Sequence, residues 1–128
     1  MSSDFVAEVD LGSNSFHMIV ARIANGRVQV LDRLREMVQL AAGLDSRNRL
    51  SPQSQQRALD CLARFGQRLR HIPPTRVRIV GTNTLRQARN SAEFVARAEQ
   101  VLGHKVEIVA GQVEARLIYL CVAHIDGD

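Results

Sequence analysis

Two turn signals near the start cut the chain into three short β-prone runs, and this limits the fold more than any other feature. Phe5 to Asp10, Phe16 to Ile23 and Arg27 to Leu31 are rich in apolar and β-branched residues. Gly12-Ser13-Asn14-Ser15 separates the first pair and Ala24-Asn25-Gly26 the second. Asn-Gly between two such runs is a strong short-range hairpin signal, so the chain is expected to open as an antiparallel three-strand meander. Met37 to Ala42 is left open, either as a continuation of the third strand or as a surface crossing.

The periodicity then changes. Ser51-Pro52 reads as a helix cap followed by a first-turn proline, and Leu59, Leu62, Phe65 and Leu69 recur at helical spacing ahead of Pro73-Pro74. Gly66 inside this helix suggests a close packing contact, since glycine there costs up to ~1 kcal/mol relative to alanine. Val77 to Gly81 predicts a buried strand. Asn90-Ser91-Ala92-Glu93 predicts a capping box that opens a helix carrying Phe94, Ala98 and Val101. Val106 to Ala110 predicts a fifth strand, and Gly111-Gln112 leads into a last helix with Val113, Leu117, Leu120 and His124 on one stripe.

The expected order is β-β-β-α-β-α-β-α, an α/β domain with a mixed five-stranded sheet and helices packed on it. Right-handed crossovers make the first, fourth and fifth strands parallel neighbours. Their carboxyl ends then share one edge, where ligands bind in open α/β sheets.

Each of those ends carries polar residues. The first delivers Asp10 and the turn Gly12-Ser13-Asn14-Ser15. Small residues there let backbone amides approach an anion, and hydroxyl and amide side chains add donors. Asp10 can hold a divalent cation through its oxygens or through bound water. The fourth delivers Thr82-Asn83-Thr84-Leu85-Arg86 beyond Gly81, with Arg86 the best-placed cation and Arg89 one helical turn further on. The fifth delivers Glu114 in the first turn of a helix. The helix dipole lowers a carboxylate's pKa there, and a neighbouring polyphosphate raises it again towards a value useful for deprotonating water. Taken singly, each feature has a plainer reading: a hairpin turn, a surface arginine, a helix-start acid. Glu8 alternates with Val6 and Asp10 and faces solvent, pairs with an arginine or lines the ligand edge.

Composition narrows the classes. The chain has 128 residues, 45% of them apolar and 23% charged, as in an ordinary globular domain. No apolar run approaches the ~20 residues that span a bilayer, and the N-terminus lacks the pattern of a secretory signal, so a cytoplasmic protein is expected. Net charge is +4, and Lys105 is the only lysine. Arginine's planar fork suits phosphate, although a solvated arginine-rich surface explains most positions. Scarce aromatics, four Phe, one Tyr and no Trp, argue against a single-strand nucleic-acid binder. Cys61 and Cys121 form no redox or ligand motif and read as buried free thiols. His17, His71, His104 and His124 lack metal-ligand spacing. No nucleophilic serine elbow, Walker loop or zinc pattern is present, which leaves direct attack by water as the simplest mechanism.

Three segments carry a resemblance. Val9 to Met18, Ile79 to Ala88 and Gly111 to Ile118 resemble, in order, motifs of the exopolyphosphatase / guanosine pentaphosphate phosphohydrolase family, and the similarity runs from about Phe5 to Val122. The resemblance implies a ribonuclease-H-like domain of the actin-like and sugar-kinase superfamily, the first of a pair that hold phosphates between them. It implies that Asp10, Gly12, Ser13, Asn14 and Ser15 form the first phosphate loop, that Arg86 contacts phosphate and that Glu114 is the general base. Mg2+ is the implied metal, with Asp10 its candidate ligand.

The implied reaction is release of terminal phosphate from inorganic polyphosphate. The alternatives are the 5′-γ-phosphate of guanosine pentaphosphate and a non-catalytic module that senses either molecule. Three positions depart from the family pattern: Val113 where a second Glu is common, Cys121 for a usual glycine, and Glu8 for a small apolar residue. The second phosphate loop, an acidic glycine-rich segment, is expected beyond Asp128. The chain therefore reads as the N-terminal half of a two-domain core, nearly inactive alone, whose interdomain face can favour self-association.

Overall fold

The computed structural model describes residues 5–109. Three antiparallel strands open it: β1 (Phe5–Leu11), β2 (Ser15–Ala24) and β3 (Arg27–Met37). Asn25 and Gly26 form the β2–β3 turn, both at positive φ (55° and 73°), the backbone of a tight hairpin whose twist matches its strands. The predicted meander is present.

β3 runs six residues beyond the expected Leu31. The charges Asp32, Arg33, Arg35 and Glu36 hide the strand pattern in the sequence. In the fold, Asp32 and Glu36 face helix α1 (Pro52–Leu69), where they pair with Arg68 and Arg64. The open question at Met37 to Ala42 is also resolved. The strand ends at Met37, and the chain then crosses the sheet edge with Val38 and Leu40 buried and a single 3-10 turn at Ala41–Gly43.

α1 starts as its sequence dictates. Ser51 accepts a hydrogen bond from Ser54 N at 3.1 Å, and Pro52 occupies the first turn, where its missing N–H costs nothing. Ala58, Cys61, Leu62, Phe65 and Leu69 bury one stripe, while Leu59 packs at its margin. β4 (Val77–Gly81) follows, then a short helix α2 (Asn83–Gln87), then α3 (Ser91–Leu102) and a two-residue β5 (Glu107–Ile108).

The strand order is β3-β2-β1-β4-β5, with β1 parallel to β4 and β4 parallel to β5. The expected mixed sheet and its parallel neighbours are therefore both found. Ala7, Val9 and Leu11 of β1, with Phe16 and Met18 of β2, join the stripes of α1 and α3 in one core. Glu8 and Asp10 alternate to the other sheet face. Gly66 has the close contact its position suggested: a Cβ there would lie 2.7 Å from Val101 O and 3.2 Å from Leu102 Cα, so α1 and α3 meet backbone to backbone.

Besides the length of β3, three readings change. α2 was not expected, because five residues are too few to show a helical period. β5 is shorter than Val106 to Ala110 within the described residues. The capping box at Asn90 is not formed. The Asn90 side chain instead turns to Leu50, accepting from its N–H at 2.9 Å and donating to its carbonyl at 3.1 Å. A long-range double hydrogen bond has displaced the local cap. The last predicted helix, with Val113, Glu114, Cys121 and His124, lies outside the described residues.

Candidate phosphate-binding edge

The carboxyl ends of β1 and β4 lie side by side, with Asp10 level with Val80 and Leu11 with Gly81. The first turn leaves β1 at Gly12. Its N–H donates to Ser15 O at 3.2 Å, and a Cβ there would sit 2.8 Å from that oxygen. Glycine is required here by space and not by backbone angle, since among the described residues only Gly26 and Gly103 are glycines at positive φ. Of the predicted loop residues, Asn14 is exposed and Gly12 and Ser13 half-buried, while Ser15 is buried as the first residue of β2. Its side chain is therefore part of the turn's footing.

β4 delivers its cargo against this turn. Thr82 N donates to Leu11 O at 3.4 Å, and Thr84 Oγ1 donates to Ser13 Oγ at 2.7 Å. Thr84 and Leu85 are buried and anchor α2, leaving Arg86 exposed on it. Gly81 makes this possible, because a Cβ would meet Leu85 Cδ1 at 2.5 Å. Arg86 forms no ion pair with any described residue, so its guanidinium is not neutralised within this part of the fold.

The β3–α1 connection closes the third side: Gln39 N donates to Asn14 O at 2.8 Å and Ala41 N to Ser13 O at 2.9 Å. The structure thus brings Asp10, Gly12, Ser13, Asn14, Ser15 and the Arg86 segment to one edge. Glu114 lies outside the described residues. Sequence reasoning quoted Thr84 in a motif but gave it no role. The signal was a hydroxyl three residues past a strand-ending glycine, opposite a turn already rich in hydroxyls.

Asp10 is half-buried, level with His17 of β2 on one side and Val80 of β4 on the other. Glu8 stands two residues earlier on the same sheet face, level with Arg78 and short of the turn. No group of three or more His, Cys, Asp or Glu among the described residues can hold a metal ion. One carboxylate beside hydroxyls is the hard-oxygen set that Mg2+ accepts when phosphate oxygens and water complete its shell. No helix of the described residues is long and apolar enough to cross a membrane.

Comparison with known proteins identifies the fold and the family. A model of the Ppx/GppA phosphatase family matches residues 19–126. Guanosine-5'-triphosphate,3'-diphosphate pyrophosphatases from two strains of Vibrio cholerae serotype O1 are 50% identical over 127 residues, covering 99% of this chain and 26% of their own length. The chain therefore spans about a quarter of the length of these curated relatives. Among solved structures, the Aquifex aeolicus Ppx/GppA family member has a TM-score of 0.81 at 26% identity, over 94% of this chain and 39% of that one. An exopolyphosphatase from Cytophaga hutchinsonii has 0.79 at 27%, over 90% and 37%. A nucleoside triphosphate hydrolase from Neospora caninum, at 0.56 and 13% identity, shares the fold alone. The expected ribonuclease-H-like α/β fold is the one found, and the chain belongs to the Ppx/GppA phosphatase family.

Proposed function

We propose that this chain is the first phosphate-binding domain of a phosphohydrolase that removes the terminal 5′-phosphate of guanosine pentaphosphate by attack of water. Inorganic polyphosphate is the second reading. The preference reverses the order expected from the sequence, because the half-identical Vibrio relatives bear the guanosine nucleotide in their name. Polyphosphate keeps its place through the family and through the exopolyphosphatase among the structural neighbours.

The observation that carries the proposal is the Thr84–Ser13 hydrogen bond, which fixes the turn after β1 against the Arg86 segment. Backbone amides and hydroxyls of Gly12, Ser13 and Asn14 bind the terminal phosphate, and Ser15 braces the turn from within β2. Arg86 supplies a bidentate donor pair to equatorial oxygens, where charge is spread in the transition state. Asp10 holds Mg2+ directly or through water; when bound, the ion neutralises phosphate charge. Glu114, assigned from its motif, deprotonates the attacking water, the lone acid of that motif since Val113 replaces a second one. The opposite wall of the cleft belongs to the region that relatives carry beyond the matched segment. Phosphoryl transfer rests on positioning and charge, so one wall binds but scarcely turns over.

The test measures binding and turnover separately. Titration of guanosine pentaphosphate into this chain with Mg2+ is expected to show binding that Arg86→Gln weakens by about 10-fold or more, the loss of a charge-assisted pair. When this chain is joined to the region that its relatives carry beyond the matched segment, Glu114→Gln is expected to abolish phosphate release and preserve binding. Unchanged turnover in that variant removes the base assignment. Undiminished binding in Arg86→Gln removes the arginine from the site.

A further inference from the structure

Three arginines that the proposed chemistry does not use sit on segments tied by hydrogen bonds to the first phosphate turn. Asp45 to Leu50 forms a closed loop: Leu44 and Leu50 pair as an antiparallel bridge, and Asn48 sits at φ 58°. The Asp45 carboxylate accepts from Arg47 N at 2.8 Å and from Arg49 N at 3.0 Å, which also holds its pKa below the ordinary range. The loop is tied to the segment after α2, where Arg89 N donates to Asn48 O at 2.8 Å and Asn90 grips Leu50 through both side-chain atoms.

Both segments are fixed to the phosphate turn. The β3–α1 connection is joined to it through Ala41 N and Ser13 O, the α2 segment through Thr84 and Ser13. Arg47, Arg49 and Arg89 therefore lie on segments that are hydrogen-bonded to one another and, through Ala41 and Thr84, to the turn after β1. All three are exposed, and none forms an ion pair among the described residues. Asp45 lends one opposing charge; its Oδ1 accepts from the Arg47 and Arg49 backbone amides, and neither guanidinium pairs with it among the described residues.

We infer that Arg47, Arg49 and Arg89 form a second anion subsite, for phosphate groups distal to the one that is cleaved. The inference rests on the proposed phosphate edge and deepens it. A guanosine with separate 5′ and 3′ phosphate chains, or a long polyphosphate, presents anions at two places, whereas a short phosphate chain fills the first turn alone. Arginine's fork suits such oxygens, and a prearranged backbone reduces the ordering cost of capture. The scarcity of aromatics disfavours single-stranded nucleic acid as the occupant.

The test compares long-chain polyphosphate with tripolyphosphate as ligands of this chain, wild type against R47Q/R49Q/R89Q, over a range of salt. The long-to-short affinity ratio is expected to fall about 10-fold or more, since charge-assisted contacts are lost for one ligand. The slope of log K against log salt for the long ligand is expected to fall by about 0.7 for each phosphate contact removed. A triple-lysine variant, which keeps the charge, retains most of that slope. An R49Q/R89Q pair serves if the triple glutamine variant unfolds. An unchanged ratio, with Arg86→Gln weakening both ligands, overturns the subsite and leaves the first turn intact. If wild type binds neither ligand, the phosphate edge and the subsite fall together. Tighter, arginine-dependent binding of a single-stranded oligonucleotide reassigns the three arginines and also overturns the inference.

Discussion

Thr84 Oγ1 donates to Ser13 Oγ across 2.7 Å, joining two residues 71 positions apart in the chain. The bond ties the turn after β1 to the helix after β4 at the proposed phosphate edge. Thr84→Val keeps the shape and removes the hydroxyl. Urea denaturation should show a loss of about 1 kcal/mol, the usual net worth of one partly buried hydrogen bond. A double-mutant cycle with Ser13→Ala should return a coupling energy of about 0.5–1.5 kcal/mol. Strict additivity would mean that this side-chain bond does not help hold the two loops together.

Gly66→Ala opposes two effects. Alanine gains up to about 1 kcal/mol of helix propensity. The new methyl, however, would lie 2.7 Å from Val101 O, and backbone on α3 cannot swing aside as a flexible side chain can. Overpacking of this kind costs about 1–3 kcal/mol, so the clash should win and the thermal midpoint should fall. A stabilised variant would contradict the close approach of α1 and α3.

Asn90 distinguishes a cap from a tether. Aspartate caps helices as well as asparagine does, so a capping role predicts that Asn90→Asp is neutral. The structure predicts a destabilisation of about 1 kcal/mol, because aspartate cannot donate to Leu50 O and loses one of two long-range bonds. Hydrogen exchange at the Leu50 amide should remain slow in Asn90→Asp, which keeps the acceptor, and quicken in Asn90→Ala.

Glu36 links pH to the packing of β3 on α1. The Cys61 thiol, hydrogen-bonded to this carboxylate, is the main cause of its lowered pKa, and Arg64, at 2.5 Å, adds to it. A carboxylate depressed on folding stabilises the fold above its ordinary value of 4.5, and that contribution disappears as pH falls through the lower folded value. An NMR titration should place Glu36 below 4.5 and move it upward in Cys61→Ala. Burial first, and then the hydrogen bond to Glu36 and its charge, push the Cys61 thiol upward, so native protein should resist alkylation at Cys61 until urea unfolds it.

Much of this fold is legible in the chain, and the reasons are local. Asn25-Gly26 announces its hairpin because only a few residues accept two successive positive φ angles. Ser51-Pro52 announces α1 because cap and first turn are short-range chemistry. The failures are equally physical. β3 was cut short at Leu31 because its charges are satisfied by α1, a partner 28 to 36 residues away. Asn90 was misread because its local option lost to a distant one. At the site, Asp10, the turn and Arg86 were legible as strand-end cargo. Thr84 was not, since a threonine after a strand has many ordinary uses until its partner on another strand is known.

The turn at Asn25 and Gly26 lies at the other end of β2 from Ser15, ten residues and about 30 Å from the anion edge. Among the described residues, nothing lies within 4 Å of where a Gly26 Cβ would stand. A fluorophore, a spin label or an inserted peptide tag at this tip therefore reports on the molecule from outside its working end. Immobilising the protein through that tip leaves the proposed anion edge at the far end of β2 from the support.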